Sequence, residues 1–133
     1  MTQSSTRVAV VDDDTSVCRA LARLLRAHGL AVDTYGSARS FLDSLGRSVP
    51  ACVVMDLQMP EMTGLELQQQ LTAGGFHIPV IVITAHDAAD TRQRCLTQGA
   101  VAYLVKPLRE ETLLQSITAA TGISGTAGPE ARG

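Results

Sequence analysis

The stretch VAVVDD, residues 8–13, is an apolar and mostly β-branched run that ends in two aspartates. A short run that is apolar at every residue is typical of a strand buried on both faces of a parallel sheet. In an open parallel sheet, ligands bind beyond the carboxyl ends of the strands. Asp12 and Asp13 follow such an end, so this stretch predicts a buried parallel strand and one part of a binding site.

Three later apolar runs also end in polar residues. Asp56, Thr84 and Lys106 each follow one of these runs, and Lys106 is the only lysine in the chain. Because the carboxyl ends of parallel strands share one edge of a sheet, we expect these side chains to converge with Asp12 and Asp13. Carboxylates, a hydroxyl and one ammonium together suit a site for a cation and a phosphate group.

Apolar runs and amphipathic segments alternate along the whole chain. The sequence predicts strands at 8–11, 30–35, 51–55, 79–83 and 102–105, and helices at 15–28, 37–45, 64–73, 87–98 and 109–120. Asp14 or Thr15 can cap the first helix, and Gly29 can end it. Strands that are separated by helices favour parallel pairing with right-handed crossovers. The predicted fold is therefore α/β, with a doubly wound parallel sheet covered by helices on both faces.

Composition limits the class of protein. The chain has 133 residues, of which 45% are hydrophobic and 3% aromatic, so it forms about one domain with an aliphatic core. A net charge of −2 argues against direct nucleic-acid binding, which needs clustered Lys and Arg. No apolar stretch approaches the ~20 residues that cross a bilayer, so we expect no membrane partner.

The cysteines and the termini complete this description. Cys18, Cys52 and Cys95 fit neither a zinc ribbon nor a CxxC pair, and they indicate buried thiols in a reducing compartment, which predicts a cytoplasmic protein. We expect a disordered N-terminal tail at 1–6, the folded domain at 7–121, and a flexible tail or linker stub at 122–133.

The order of the polar strand ends resembles a known family. Asp12-Asp13, Asp56, Thr84 and Lys106, with Pro107 directly after the lysine, resemble the receiver domain of two-component response regulators, the CheY-like family. The stretch DLQMPEMTG at 56–64 is that family's most specific motif. The resemblance covers roughly 7–121 and is closest to the FixJ and NarL branches. It implies a five-stranded sheet in the order 2-1-3-4-5.

The resemblance also implies a chemistry. Asp56 is the expected phosphoacceptor, and a sensor histidine kinase or phosphotransfer protein is the expected donor. Mg²⁺, with Mn²⁺ as an alternative, would be bound by Asp13, Asp56 and the Gln58 backbone carbonyl, with Asp12 acting through a water. Like carboxylates raise one another's pKa, and a divalent cation relieves that repulsion. Lys106 and Thr84 would contact the phosphoryl oxygens. The domain would be a signalling module, limited to its own phosphorylation and slow dephosphorylation.

Further residues match the family's response to phosphorylation. Tyr103 occupies its aromatic switch position, where ring rotation follows movement of Thr84, although a half-buried strand tyrosine explains it nearly as well. His86 and Gln58 lie where relatives tune the access of water to the acyl phosphate. The responding surface would be the fourth helix, fifth strand and fifth helix, which in relatives forms a homodimer or contacts an output partner, often one that controls transcription.

Two other classes of function remain open at this point. A haloacid-dehalogenase-like phosphatase would use Asp12 as nucleophile within Asp12-Asp13-Asp14, but its late acidic pair would be Glu110-Glu111, which falls inside a predicted helix. A pseudo-receiver would keep the fold as an interaction module without phosphorylation.

Single residues also have structural interpretations. The three aspartates at 12–14 could form a solvated turn, and Asp14 is best explained as a helix cap. Arg19, Arg23 and Arg26 could bind an acidic kinase surface, although the solvated face of a helix is slightly favoured. His28 and His77 have no partner spacing, and we expect them to be structural.

Overall fold

A computed structural model of the chain describes residues 6–59 and 62–122. Strands and helices alternate through these residues. The strands are β1 (Arg7–Val11), β2 (Ala31–Tyr35), β3 (Cys52–Asp56), β4 (Val80–Thr84) and β5 (Ala102–Val105). The helices are α1 (Thr15–Ala27), α2 (Ala38–Ser44), α3 (Gly64–Ala73), α4 (Ala89–Thr97) and α5 (Glu110–Thr121). All ten predicted elements are therefore present.

The five strands form one parallel sheet in the order β2-β1-β3-β4-β5. Val10 in β1 pairs with Thr34 on one side and with Val54 on the other, and Val54 in turn pairs with Ile81. Each connection between parallel neighbours passes through a helix, as a crossover of this kind requires. The predicted fold class and strand order are confirmed.

The sheet separates two apolar cores. Ala9 and Val11 face the core that α2, α3 and α4 cover, while Val8 and Val10 face the core that α1 and α5 cover. Side chains alternate between the faces of a strand, so a strand with helices on both sides must be apolar at every residue. This arrangement accounts for the unbroken apolar run with which β1 begins.

The ends of α1 follow the sequence signals. The Asp14 carboxylate accepts hydrogen bonds from the backbone N–H groups of Ser16 at 2.9 Å and Val17 at 3.4 Å, so Asp14 is the N-cap. Gly29 has a φ of +86°, and the next N–H, from Leu30, reaches back to the Leu25 carbonyl at 3.1 Å. A left-handed residue at this position suits glycine, and it ends the helix as predicted.

Some boundaries differ from those predicted. Asp56 and Thr84 are the last residues of β3 and β4, not the residues after them. The parallel ladder continues past both, since the Leu57 N–H donates to the Ile83 carbonyl at 2.9 Å and the Lys106 N–H to the Thr84 carbonyl at 2.7 Å. The two side chains are thus fixed by sheet backbone.

The termini are described in part. Residues 1–5 and 123–133, which hold most of the two predicted tails, lie outside the described residues, as do Pro60 and Glu61 of the quoted motif. Thr6, placed in the predicted N-terminal tail, pairs with β2: its carbonyl accepts a hydrogen bond from the Ala31 N–H at 2.9 Å. Among the described helices, none is both long and apolar enough to span a bilayer.

Candidate functional site

Three strand ends bring charged side chains together at one edge of the sheet. Asp12 follows β1, Asp56 ends β3 and Lys106 follows β5. The Lys106 Nζ lies 3.2 Å from Asp12 Oδ2 and 3.9 Å from Asp56 Oδ2. The expected convergence of these residues at the carboxyl ends of the strands is observed.

Asp13 completes an acidic cluster with Asp12 and Asp56. One carboxylate oxygen from each residue lies within 4.8 Å of the other two. Asp12 is 1% exposed and Asp56 is 7% exposed, while Asp13 faces solvent. Two buried carboxylates with a third at the surface make a pocket of oxygen ligands that opens outward.

The two buried carboxylates are held in the same way. Asp12 Oδ1 accepts a hydrogen bond from the Asp14 N–H at 2.9 Å, and Asp56 Oδ1 accepts one from the Gln58 N–H at 3.3 Å. In both residues the other oxygen, Oδ2, is the one nearest the Lys106 ammonium. The backbone therefore fixes the orientation of each carboxylate and leaves one oxygen of each directed at the charge.

Burial raises the pKa of the Asp56 carboxyl above its ordinary value, and the negative charge of Asp12 raises it further. The hydrogen bond from the Gln58 N–H and the positive charge of Lys106 oppose this increase, and Asp13 adds to it. The ionised cluster thus holds repulsion that one ammonium does not remove. A hard divalent cation, which prefers oxygen ligands, fits this donor set and would relieve the repulsion.

Thr84 ends β4 and is fully buried. Its hydroxyl donates to the His86 carbonyl at 3.2 Å and accepts from the His86 N–H at 3.1 Å. Within the described residues no hydrogen bond joins this hydroxyl to the acidic cluster. The side chains of His86 and Gln58 are exposed and line one cleft between the ends of α3 and α4.

Tyr103 is buried, not half-buried as its structural interpretation expected. It is 6% exposed and packs in the core beneath α2, α3 and α4. Burial is the largest cause of a raised pKa for its phenol. In the described part of the chain the Tyr103 hydroxyl has no hydrogen-bond partner of good geometry, although the Ala88 backbone lies close to it.

Gly64, at the start of α3, is a site residue whose role the sequence analysis missed. A Cβ at this position would lie 2.9 Å from the Leu57 Cα and 3.3 Å from the Asp56 carbonyl oxygen. The Gly64 N–H donates to the Leu57 carbonyl at 2.7 Å. The motif glycine therefore lets α3 approach the backbone that carries Asp56. Its presence in the motif is the sequence signal, but only the structure supplies the reason.

Cys18, in α1, contacts the backbone of the site. Its thiol donates to the Asp12 carbonyl at 3.2 Å. Burial, and then the charge of Asp12, raise the pKa of this thiol, so it stays a protonated donor. Cys52 and Cys95 are buried as well, and burial raises the pKa of Cys52 to about 12. All three cysteines are free and buried, as expected.

The remaining charged candidates lie elsewhere. Arg19, Arg23 and Arg26 line a groove beside Thr34 with their side chains exposed, and Arg26 donates to the Val32 carbonyl at 2.8 Å. His28 is exposed at the end of α1, and its Nε2 lies 3.0 Å from Glu110 Oε2.

The sequence matches the family described as "Response regulator receiver domain" over residues 8–118. It is 40% identical to "Response regulator protein TodT" of Pseudomonas putida over 120 residues, which cover 90% of this chain and 53% of that protein. It is 38% identical to "Transcriptional regulatory protein FixJ" of Azorhizobium caulinodans over 121 residues, covering 91% of this chain and 57% of that protein. The chain spans about half the length of the curated relatives it matches.

Solved structures agree with this assignment. The crystal structure of FixJ-N superposes with a TM-score of 0.83 at 32% identity, covering 92% of this chain and 98% of that one. The similarity to FixJ agrees with the branch that the sequence indicated. The dehalogenase alternative is disfavoured, because Glu110 and Glu111 begin α5 and do not end a strand. The chain therefore belongs to the receiver domains of two-component response regulators.

Proposed function

We propose that Asp56 is the phosphoryl-accepting residue of this receiver domain. The observation that carries the proposal is the pairing of two buried carboxylates, Asp12 and Asp56, whose Oδ2 atoms both face the Lys106 ammonium. Asp56 ends β3 and its side chain is 10% exposed, which leaves it accessible to an incoming group. Asp12 is more deeply buried, at 1% exposure, and is less accessible to a phosphoryl donor.

The transfer chemistry follows from these positions. A carboxylate oxygen of Asp56 attacks the phosphorus of a phosphohistidine, and an acyl phosphate bond forms as the P–N bond breaks, with its electron pair going to the imidazole nitrogen of the donor. Phosphoryl transfer needs positioning and charge neutralisation above all. Lys106 neutralises charge on the phosphoryl oxygens as a compact ammonium. The Thr84 hydroxyl, once it leaves the His86 carbonyl, donates to one of those oxygens.

A divalent cation belongs to this proposal. Asp13, Asp56 and the backbone carbonyl of Gln58 would hold Mg²⁺ or Mn²⁺, with Asp12 beside them. When bound, the cation neutralises the clustered carboxylates and the phosphoryl oxygens. The raised pKa of Asp56 and the repulsion within the cluster are the features of this structure that support such an ion.

The proposed output of the domain is a change in one surface formed by two helices and a strand. Phosphorylation of Asp56 draws Thr84 toward the phosphoryl group, Tyr103 responds, and the surface of α4, β5 and α5 changes. The partners we propose are a sensor histidine kinase or phosphotransfer protein, a second copy of the phosphorylated domain, and an output domain or protein that controls transcription, as the name of the FixJ relative suggests. The proposed receiver extends over 7–121 and acts in the cytoplasm.

Intact-mass spectrometry after incubation with acetyl phosphate and Mg²⁺ tests the proposal. We expect one phosphoryl adduct on the native chain, and none in Asp56→Asn or when a chelator replaces Mg²⁺. Asp14→Asn is the matched control, because Asp14 caps α1 outside the acidic cluster and asparagine caps a helix equally well. That variant should keep the adduct.

Two outcomes would contradict the proposal in different ways. An adduct that survives Asp56→Asn but vanishes in Asp12→Ala would identify Asp12 as the nucleophile, as in the dehalogenase mechanism. No adduct on the native chain, together with no Mg²⁺ binding, would leave an interaction module with the receiver fold.

A further inference from the structure

Arg92, in α4, lies over the ring of Tyr103. The Arg92 Cζ is 4.7 Å from the ring centroid, within the distance of a cation–π contact. Its Nε lies 4.0 Å from Asp87 Oδ1, in the connection that precedes the helix. A planar guanidinium stacks on an aromatic face better than an ammonium does. Arg92 therefore covers the ring from the side of α4, with the exposed carboxylate of Asp87 beside it.

The burial of Tyr103 has a cost that this contact offsets. Its buried hydroxyl has no hydrogen-bond partner of good geometry in the described residues, although the Ala88 backbone lies close to it, and a poorly satisfied buried hydroxyl reduces the stability of the buried position. The Arg92 cation attracts the ring face, and the methylene stem of the arginine adds apolar cover. The Arg92 contact therefore stabilises the buried position of the Tyr103 ring, which its own hydroxyl destabilises.

The helix that carries Arg92 is itself weakly attached. Cys95 is its one buried residue within the described fold, and its N-cap, Ala88, makes no side-chain hydrogen bond. Where α3 packs against α4, the Gln68 side-chain N–H donates to the Cys95 carbonyl at the long distance of 3.5 Å. The Gln68 Oε1 is buried without a partner among the described residues. A small displacement of α4 therefore costs few contacts, and it would move Arg92 off the ring.

We propose that Arg92 is a positioning residue that holds Tyr103 in its buried position and couples the ring to the placement of α4. The inference rests on the proposed function, because it adds a regulating contact to the switch that we assign to Tyr103. When Arg92 stays over the ring, Tyr103 is buried. When α4 shifts, the ring is released and its hydroxyl reaches solvent, so a partner that binds one position of α4 also selects one position of the ring.

The experiment uses tyrosine fluorescence in the full chain. The sequence has two tyrosines and no tryptophan, so Tyr35→Phe leaves Tyr103 as the single reporter and keeps a ring against Phe41. Quenching by acrylamide measures how exposed the reporter is. In this background, Arg92→Ala should shift the ratio of exposed to buried ring by about two- to fivefold, the loss expected for one surface cation–π contact.

Three variants separate the contact from a general loosening of α4. Arg92→Lys keeps a cation and an apolar stem, so it should restore part of the protection. Arg92→Gln keeps much of the stem without charge, so its quenching should stay close to that of Arg92→Ala. Arg94→Ala removes another exposed arginine of the same helix that is not the one stacked on Tyr103, and quenching should match that of the Tyr35→Phe parent.

Quenching in Arg92→Ala equal to that of the parent would overturn the inference, and so would an equal increase in Arg94→Ala. Neither result touches the proposed function, which the phosphoryl adduct on Asp56 tests separately and without reference to Tyr103. Conversely, absence of the adduct on the native chain overturns the proposed function, while the quenching data still decide whether Arg92 holds the ring.

Discussion

Helices α1 and α4 both cover the sheet, but they are attached to it very differently. In α1 four residues are buried, and the Asp14 carboxylate caps the first turn. In α4 one residue is buried, and no side chain caps the start. Helix stability in proteins comes mainly from packing of an apolar face, with a smaller contribution from caps. The comparison indicates that α1 is a fixed support and α4 an adjustable element.

The two helices serve different parts of the site. From α1, Cys18 donates to the Asp12 carbonyl, so the firmly packed helix supports the acidic cluster. The connection that leads into α4 holds the hydroxyl of Thr84, and α4 itself covers Tyr103. Asp12 of the acidic cluster thus rests on the fixed helix, while Thr84 and Tyr103 lie against the adjustable one or the connection before it.

Removing one leucine side chain from each helix should give the largest contrast. Leu25 in α1 is fully buried, so Leu25→Ala should lower the free energy of unfolding by about 2–5 kcal/mol. Leu96 in α4 is 41% exposed, and Leu96→Ala should change it by less than about 0.5 kcal/mol. Urea denaturation followed by circular dichroism measures both. Similar losses in the two variants would remove the distinction between the helices.

A second substitution tests whether the start of α3, like α1, is a fixed support of the site. A methyl group at Gly64 would meet backbone atoms of Leu57 and Asp56, so Gly64→Ala should cost about 1–3 kcal/mol and reduce formation of the phosphoryl adduct. Gly46→Ala is the matched control, because no atom lies within 4 Å of its Cβ position. That variant should be neutral or slightly stabilising. If Gly64→Ala is destabilised but still forms the full adduct, the close approach at Gly64 stabilises the fold without positioning Asp56.

What the sequence could predict follows from the range of each interaction. The apolar run at 8–11 and the amphipathic pattern of α1 are local features of the sequence. The strands and helices and their alternation could therefore be predicted from the sequence alone. Convergence of Asp12, Asp56 and Lys106 also followed, because a parallel sheet brings all carboxyl ends to one edge. The specific motif around Asp56 then identified the family.

Other features depend on distances between segments far apart in the chain. Nothing in the spacing of Arg92 and Tyr103 indicates that one covers the other, and the pairing of His28 with Glu110 joins two helices that the sequence could not place side by side. The extension of β3 through Asp56 depends on a hydrogen bond to the neighbouring strand. Register, close approach and side-chain pairing across elements had to come from the structure.

The caps give a smaller and more direct test of the comparison. Asp14→Ala should destabilise the protein by about 1 kcal/mol, because two N–H groups of α1 lose their acceptor. Ala88 already has the extended backbone of an N-cap, with φ −147° and ψ 130°, so Ala88→Ser should stabilise α4 by about 0.5–1 kcal/mol. Hydrogen exchange of the amides of α4 shows whether the gain is local. A cap that leaves exchange in α4 unchanged would mean that its start is already held in another way.

The smallest effect we expect comes from the charge of Asp56. Its raised pKa means that the folded chain binds this proton more tightly than the unfolded chain does. Stability therefore falls as pH rises from about 4, the ordinary range of a carboxyl, through the folded pKa, and it stays reduced above that. The effect is limited because Lys106 and the Gln58 N–H oppose the repulsion.

Asp56→Asn replaces the ionisable carboxyl with a neutral amide, which removes the repulsion from the ionised cluster. In metal-free buffer the variant should therefore be more stable than the native chain at pH 7. The difference should disappear below about pH 4, where the carboxyl is protonated in both the folded and unfolded chains. Adding Mg²⁺ should narrow it by stabilising the native chain, since the cation offsets the repulsion that the substitution removes. Thermal unfolding across this pH range measures each step. A variant less stable than the native chain at pH 7 would show that the Lys106 contact outweighs burial, and that the acidic edge, like α1, is stabilised by its own interactions.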